Sequence, residues 1–345
     1  MIRSSKLQTV TGEASRTASI WRQRFSLLVQ RSCLLNNDTH MSRTLTRSRF
    51  MGIAAGAGLI AAGHAAAQTG VRMHRRKIPS SGEMLPVVGV GTWRTFDVGA
   101  KPEDRAPLAE VLRLLFAAGG SAIDTSPMYG SAEAVVGDLL AAADARSKAF
   151  IATKVWTTGR DSGVAQMRKS MGLLRTDRID LMQIHNLVDW RAHLPTLRAW
   201  KAEGRIRYLG ITHYTQSAHD ELESVMRAET WDFVQINYAL DDRAVERRLL
   251  PLAAERGIAV IVNQPFGGGG LLRKLLGRKL PDWAGEIGAK SWAQLLLKFV
   301  LANPAVTCVI PGTGKPEHMA DNLQAGFGVY PDAALLRKMI AEIQV

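Results

Sequence analysis

From residue 87 onward one pattern repeats eight times. A short, continuous apolar run is followed by a longer segment whose apolar residues fall three and four apart. The runs are "VVGVGTW" (87–93), "SAIDTS" (121–126), "FIATKVW" (150–156), "IDLMQIH" (179–185), "IRYLGIT" (206–212), "FVQINYAL" (233–240), "AVIVNQP" (259–265) and "VTCVIPG" (306–312). Helical spacing follows at 105–118, 131–143, 162–174, 191–203, 216–228, 244–256, 291–302 and 316–324, and a last helix is expected at 331–343. Strands that are apolar throughout, rather than alternating, belong to a parallel sheet covered on both faces. Eight such units within residues 68–345 predict an α/β fold, a single-domain (β/α)8 TIM barrel. An open doubly wound sheet is the competing arrangement. It calls for a G-x-G-x-x-G turn after the first strand, and "GVGTWR" lacks that spacing.

A barrel of this kind carries its active site at the C-terminal ends of its strands. The polar residues there are Thr92, Asp124, Lys154, His185, Thr212, Gln235, Asn263 and Thr313. Burying Asp124 or Lys154 alone is expensive, and pairing them relieves the cost. Tyr129 lies five residues past Asp124. A tyrosine titrates near 10, and a neighbouring ammonium lowers that value. A carboxylate keeps the ammonium charged, and a histidine can hydrogen-bond the reacting oxygen. The four together predict a tuned general acid facing a carbonyl oxygen. Taken singly, each has a plainer reading: Asp124 caps a turn, Tyr129 packs, Lys154 snorkels, His185 is structural. Their common place at strand ends, or just past one, favours function.

The net charge of +13 suggests a polyanion partner, but its distribution argues otherwise. Residues 1–77 hold 13 of the 44 Lys+Arg and 2 of the 31 Asp+Glu, which leaves +2 for the rest. A nearly neutral body speaks against nucleic-acid binding. Most of the basic excess, nine of those 13 residues, instead precedes the apolar, small-residue run "MGIAAGAGLIAAGHAAA" (51–67). Residues 41–67 have the three-part layout of an export signal, with "AAA" before Gln68 as the cleavage site. The run is too short and too rich in Gly and Ala for stable membrane insertion. "TRSRFM" resembles a twin-arginine signal, except that Ser48 separates Arg47 from Arg49. The expectation is a twin-arginine-like signal peptide over 41–67, transient contact with the export machinery, and a periplasmic protein; without a working signal it is cytoplasmic. Residues 1–40 are expected to be a misassigned or disordered extension. Only Cys308 lies beyond the signal, so no intramolecular disulfide is expected in the mature chain.

Over residues 77–345 the chain resembles the aldo-keto reductase family, in a short bacterial form with an export signal. "GVGTW", "AIDTSPMYGSAEAVVG", "IATKVW", "IDLMQIHN", "GRIRYLGIT", "FVQINY" and "VIPGTGKPEHMADN" carry the resemblance, in order and spacing. The resemblance implies a catalytic tetrad of Asp124, Tyr129, Lys154 and His185. It implies hydride transfer from NADPH, with NADH possible, to an aldehyde or ketone, with Tyr129 giving the proton. No metal is implied.

The same resemblance places Thr92, the Thr212-His213 pair and Gln235 on the cofactor, the latter three at the nicotinamide carboxamide. Thr313, His318, Asp321 and Asn322 fall in the cofactor loop by the same resemblance. Independently of it, "FGGGGLL" (266–272) can approach a pyrophosphate through its backbone N–H groups, or else is a flexible loop, and Pro265, Phe266, Gly267 and Gly268 are counted with the cofactor residues. Trp93, Trp156 and Asn186 become walls of the substrate site. Four positions depart from the family pattern. His213 stands where an Asn is usual, and Asn263 where an aromatic ring stacks on nicotinamide. Gly312 and His318 stand where NADPH-preferring members carry Lys and Arg. A loose preference between the two nucleotides follows, because His meets a 2′-phosphate more weakly than Arg. The same departures motivate an alternative: a non-catalytic dinucleotide-binding or redox-sensing barrel.

Overall fold

The computed structural model describes residues 72–343. The signal-like segment 41–67 and the extension 1–40 lie outside the described residues.

The chain enters through a hairpin that the sequence pattern does not reveal. β1 (Arg75–Lys77) pairs antiparallel with β2 (Met84–Pro86). Its loop side chain Ile78 and strand residue Leu85 are buried in one cluster with Phe150, Tyr208 and Phe233. The aromatic rings pack with centroids 5.5–6.0 Å apart. The hairpin thus plugs the N-terminal mouth of the barrel. Glu83 fastens it there, accepting the Tyr208 hydroxyl at 2.6 Å and a bond from Arg207. Truncating a ring such as Phe233 to Ala in this layer is expected to cost about 3–5 kcal/mol.

Eight parallel strands follow: β3 (Val90–Gly91), β4 (Ala122–Asp124), β5 (Phe150–Val155), β6 (Ile179–His185), β7 (Ile206–His213), β8 (Phe233–Asn237), β9 (Ala259–Asn263) and β10 (Val306–Val309). They pair in sequence order from β3 to β10. Parallel bridges Val88–Val309 and Gly91–Gly312 join the two ends and close the barrel. That closure rules out the open doubly wound sheet. The first strand is shorter than the expected 87–93. Gly91 lies where a Cβ would come within 2.9 Å of the Ile310 carbonyl, so this seam needs glycine.

The helices are α1 (Pro102–Ala117), α2 (Ala132–Ala142), α3 (Arg160–Leu173), α4 (Trp190–Ala202), α5 (His219–Ala228), α6 (Leu249–Glu255), α7 (Gly270–Leu275), α8 (Trp292–Ala302), α9 (Pro316–Leu323) and α10 (Ala333–Glu342). In α1 the expected stripe of Leu108, Val111, Leu112 and Leu115 is buried. Two expected helices are shorter. The segments 216–228 and 244–256 begin as 3-10 turns (Gln216–Ala218, Ala244–Glu246) before α5 and α6. The Gly-rich connection after β9 holds α7 and a further 3-10 turn, Asp282–Ile287.

Along each strand, side chains alternate between the helix layer and the barrel interior. The interior is apolar at the bottom and polar at the top. On β5 it runs Phe150, Ala152, Lys154; on β6, Leu181, Gln183, His185; on β4, Ala122, Asp124. The fold therefore brings the polar strand ends together.

Candidate active site

Lys154 is the deepest charged group of this polar layer. Its side chain is 1% exposed and that of Asp124 5%. Lys154 Nζ donates to Asp124 Oδ1 at 2.9 Å, to Oδ2 at 2.8 Å and to the Thr125 carbonyl at 2.7 Å. Burial pulls the ammonium down, but Asp124 and Tyr129 more than offset it and leave its pKa raised. Asp124 Oδ1 also accepts Gln235 Nε2 at 3.0 Å and Gln183 Nε2 at 3.4 Å. Thr92 holds the Asp124 backbone, donating to its carbonyl from both N and Oγ1, at 3.0 and 2.9 Å.

Tyr129 reaches this group from the loop after β4. Its ring centroid is 5.0 Å from Lys154 Nζ and 6.0 Å from the His185 ring, edge-on at 84°. Two contacts fix the loop. Tyr129 N donates to the Ser126 carbonyl at 3.0 Å. Asp97 Oδ1 accepts Ser131 N and Ser131 Oγ, each at 2.9 Å. Between them Gly130 has φ +61°, and a Cβ there would strike the Asp97 carboxylate. Only glycine fits.

The sequence predicts that Lys154 lowers the tyrosine pKa. In the structure burial raises it more than Lys154 lowers it, so the phenol lies above 10. The lysine limits a rise that burial dominates. His185 is pulled down to about 3, by burial first and then by the charges of Lys154 and His213. It is a neutral imidazole at physiological pH. Its Nδ1 lies 3.2 Å from Ser126 Oγ, and its ring is 6.2 Å from that of Trp156.

Asp124, Tyr129 and His185 open into a cavity of about 640 Å³; Lys154 does not line it and bears on it through Asp124 and Tyr129. Trp93, Trp156 and Asn186 line it as expected, as do Thr92, Thr212, Gln235, Pro265, Phe266 and Gly268. Met128 and Tyr214 also line it and were not expected. Trp93 and Trp156 are 47% and 41% exposed, whereas Trp190, Trp200, Trp231, Trp283 and Trp292 are buried in packing. Three lining residues, Arg94, Asn186 and Gln264, hold left-handed backbones at φ 60°, 53° and 49°. Such strain outside glycine gathers where surrounding structure imposes it.

Six expected cofactor residues do not line this cavity: His213, Gly267, Thr313, His318, Asp321 and Asn322. His213 stacks on Tyr214 and takes bonds from Thr215 on its Nδ1. Asp321 is committed elsewhere, because its two oxygens accept Ser291 Oγ and Gln294 Nε2, both at 2.6 Å, at the start of α8. Asn322 is buried and His318 exposed on α9. Gln235 spends an amide hydrogen on Asp124, so it meets the cavity as part of the Asp124 network. Sequence reasoning missed Ser126, Gln183 and Asp97. Gln183 had a signal: period two along a buried strand puts it on the face of His185.

A model of the Aldo/keto reductase family matches residues 87–335. The chain belongs to the aldo/keto reductase family. It is an oxidoreductase of that family, and the closed barrel is the family's fold. Among curated relatives, Methylglyoxal reductase YeaE of Escherichia coli (strain K12) is 29% identical over 258 residues, covering 72% of this chain and 89% of that protein. Among solved structures, the thermostable aldo-keto reductase Tm1743 in complex with the inhibitor epalrestat is 26% identical with a TM-score of 0.66, over 79% of this chain and all of that one. An aldo-keto reductase from Klebsiella pneumoniae in complex with NADPH is 24% identical with a TM-score of 0.65, over 78% and 94% of the two chains.

Proposed function

We propose that this aldo/keto reductase is an NADPH-using carbonyl reductase, accepting NADH as well, that reduces aldehydes or ketones with Tyr129 as general acid. The observation that carries this reading is the convergence of Asp124, Tyr129 and His185 on one cavity, with Lys154 clamped by Asp124 behind them and 5.0 Å from the Tyr129 ring.

The cavity suits a nicotinamide. Asn186 Oδ1 and Asn263 Oδ1 are buried acceptors without a partner in the protein, and both residues line it, so they can receive a carboxamide N–H. Gly268 and Gly269, at φ +62° and +86°, leave bare backbone on the wall, as an approaching pyrophosphate requires. The Klebsiella relative bound to NADPH supports the same choice. When bound, the cofactor supplies the hydride.

The chain's own residues handle the proton. Burial keeps Tyr129 protonated at neutral pH, so it enters as an acid. As the proton leaves toward the substrate oxygen, Lys154 lies close enough to balance the phenolate charge. Asp124 keeps that lysine charged and aimed. Neutral His185 offers the carbonyl oxygen a hydrogen bond, not a competing charge. Trp93, Trp156, Met128 and Tyr214 give the cavity an apolar rim that shields the reacting atoms from water.

Segment 41–67 supports export to the periplasm. A twin-arginine route fits an enzyme that must fold around its nucleotide in the cytoplasm. Cell fractionation tests this: the reading expects a shortened protein in the periplasm that carries nucleotide.

The reductase reading is tested by titrating the protein's tryptophan fluorescence with NADPH and NADH, then following NADPH consumption across an aldehyde and ketone panel that includes methylglyoxal. Saturable quenching and turnover of at least one carbonyl are expected. Tight nucleotide binding with no turnover of any carbonyl would instead favour the non-catalytic barrel.

A further inference from the structure

His185 can polarise a carbonyl only if the nitrogen facing it carries the proton, and a neutral imidazole has one proton for two nitrogens. Ser126 decides between them. It follows Asp124 by two residues, is fully buried, and comes to His185 across 59 positions of sequence. Its Oγ lies 3.2 Å from His185 Nδ1 and 3.4 Å from Met128 N. Met128 N–H can only donate, so it occupies a lone pair of Oγ. The Ser126 hydroxyl hydrogen then needs an acceptor, and His185 Nδ1 is the acceptor at hand. If Nδ1 carried the proton instead, a buried hydroxyl hydrogen would be left unpaired. Full pairing is reached only with Nδ1 bare and the proton on Nε2. The ring cannot easily turn to escape this choice, since Tyr129 and Trp156 pack on it at 6.0 and 6.2 Å.

We propose that Ser126 is a positioning residue, which fixes His185 as the tautomer with its proton on Nε2, so that Nε2–H serves as the hydrogen-bond donor to the substrate carbonyl. The same residue holds the acid, because its backbone carbonyl accepts Tyr129 N–H at 3.0 Å. Ser126 therefore ties donor and acid to one rigid turn. This inference rests on the carbonyl-reductase reading for its catalytic meaning, but the tautomer itself is a property of the free protein.

The test has two arms. In the first, nitrogen NMR of uniformly labelled full-length protein, with His185 assigned by comparison with His185→Gln, is expected to show bare Nδ1 and protonated Nε2. A proton on Nδ1 overturns the proposal whatever the activity. In the second, Ser126→Ala is expected to lower kcat about tenfold, leave NADPH affinity unchanged and mix the two His185 tautomers, while Ser126→Thr restores the hydroxyl and most of the rate. Ser126→Ala with unchanged tautomer and unchanged kcat overturns it. If that variant does not fold, the first arm alone decides. A wild type that reduces no carbonyl defeats the functional reading, and the NMR result still judges the tautomer.

Discussion

Lys154 Nζ grips both carboxylate oxygens of Asp124, at 2.9 and 2.8 Å, in a part of the barrel that water scarcely reaches. An ion pair this deep is stable only as a pair. Lys154→Met leaves a buried carboxylate without its cation and is expected to cost about 3–5 kcal/mol of stability. Adding Asp124→Asn to that variant should recover part of the loss, because the uncompensated charge is gone. Urea denaturation of both variants checks this. Equal losses would mean that the charges do not depend on each other.

His185 makes stability depend on pH. In the unfolded chain an imidazole takes a proton near 6.5; in the folded protein His185 does so only at about 3. Between those values the unfolded state binds more protons. The contribution of this group is therefore fully present above pH 6.5 and is lost as pH falls toward 3, by at most about 1.4 kcal/mol per unit. Urea midpoints of wild type and His185→Gln, compared at neutral and mildly acidic pH, should show the wild type losing more.

Two glycines should respond oppositely to alanine. Gly130→Ala meets both a left-handed backbone and the Asp97 carboxylate, and should cost about 1–3 kcal/mol and reduce kcat by shifting Tyr129. Gly172 lies in α3 with open space around it, and Gly172→Ala should stabilise by about 0.5–1 kcal/mol without touching activity. Melting temperatures and turnover of the two variants separate local strain from a general effect of the substitution.

Nucleotide choice should turn on α9. His318→Arg is expected to tighten NADPH about tenfold while leaving NADH unchanged, since guanidinium meets a phosphate in a fixed fork. In the wild type the two affinities should lie within about a hundredfold of each other. Fluorescence titrations of both proteins measure the four constants.

What was legible in the sequence follows from what is periodic. Continuous apolar strands and helical stripes give the barrel, and the barrel rule converts strand ends into a site. Asp124, Lys154 and His185 were found that way, and Tyr129 by its nearness to Asp124. The hairpin before the barrel was not legible, because β1 and β2 are three residues each and their value lies in plugging a mouth that exists only once the strands close. Ser126 and Asp97 were also hidden. Ser126 reads as the polar end of a strand run and Asp97 as an ordinary loop residue, and each acquires its role from a partner at least 34 positions away. The far cofactor residues were placed by resemblance, without knowledge of local partners, and for Asp321 those partners turned out to lie on α8.

The central claim is that Tyr129 supplies the proton in carbonyl reduction. Tyr129→Phe removes one hydroxyl from the cavity and leaves the Asp124–Lys154 pair and the walls in place. The account predicts that this variant binds NADPH with wild-type affinity but loses about 10²–10⁴-fold in kcat on the best aldehyde of the panel. A variant that still reduces the aldehyde at the wild-type rate would contradict it.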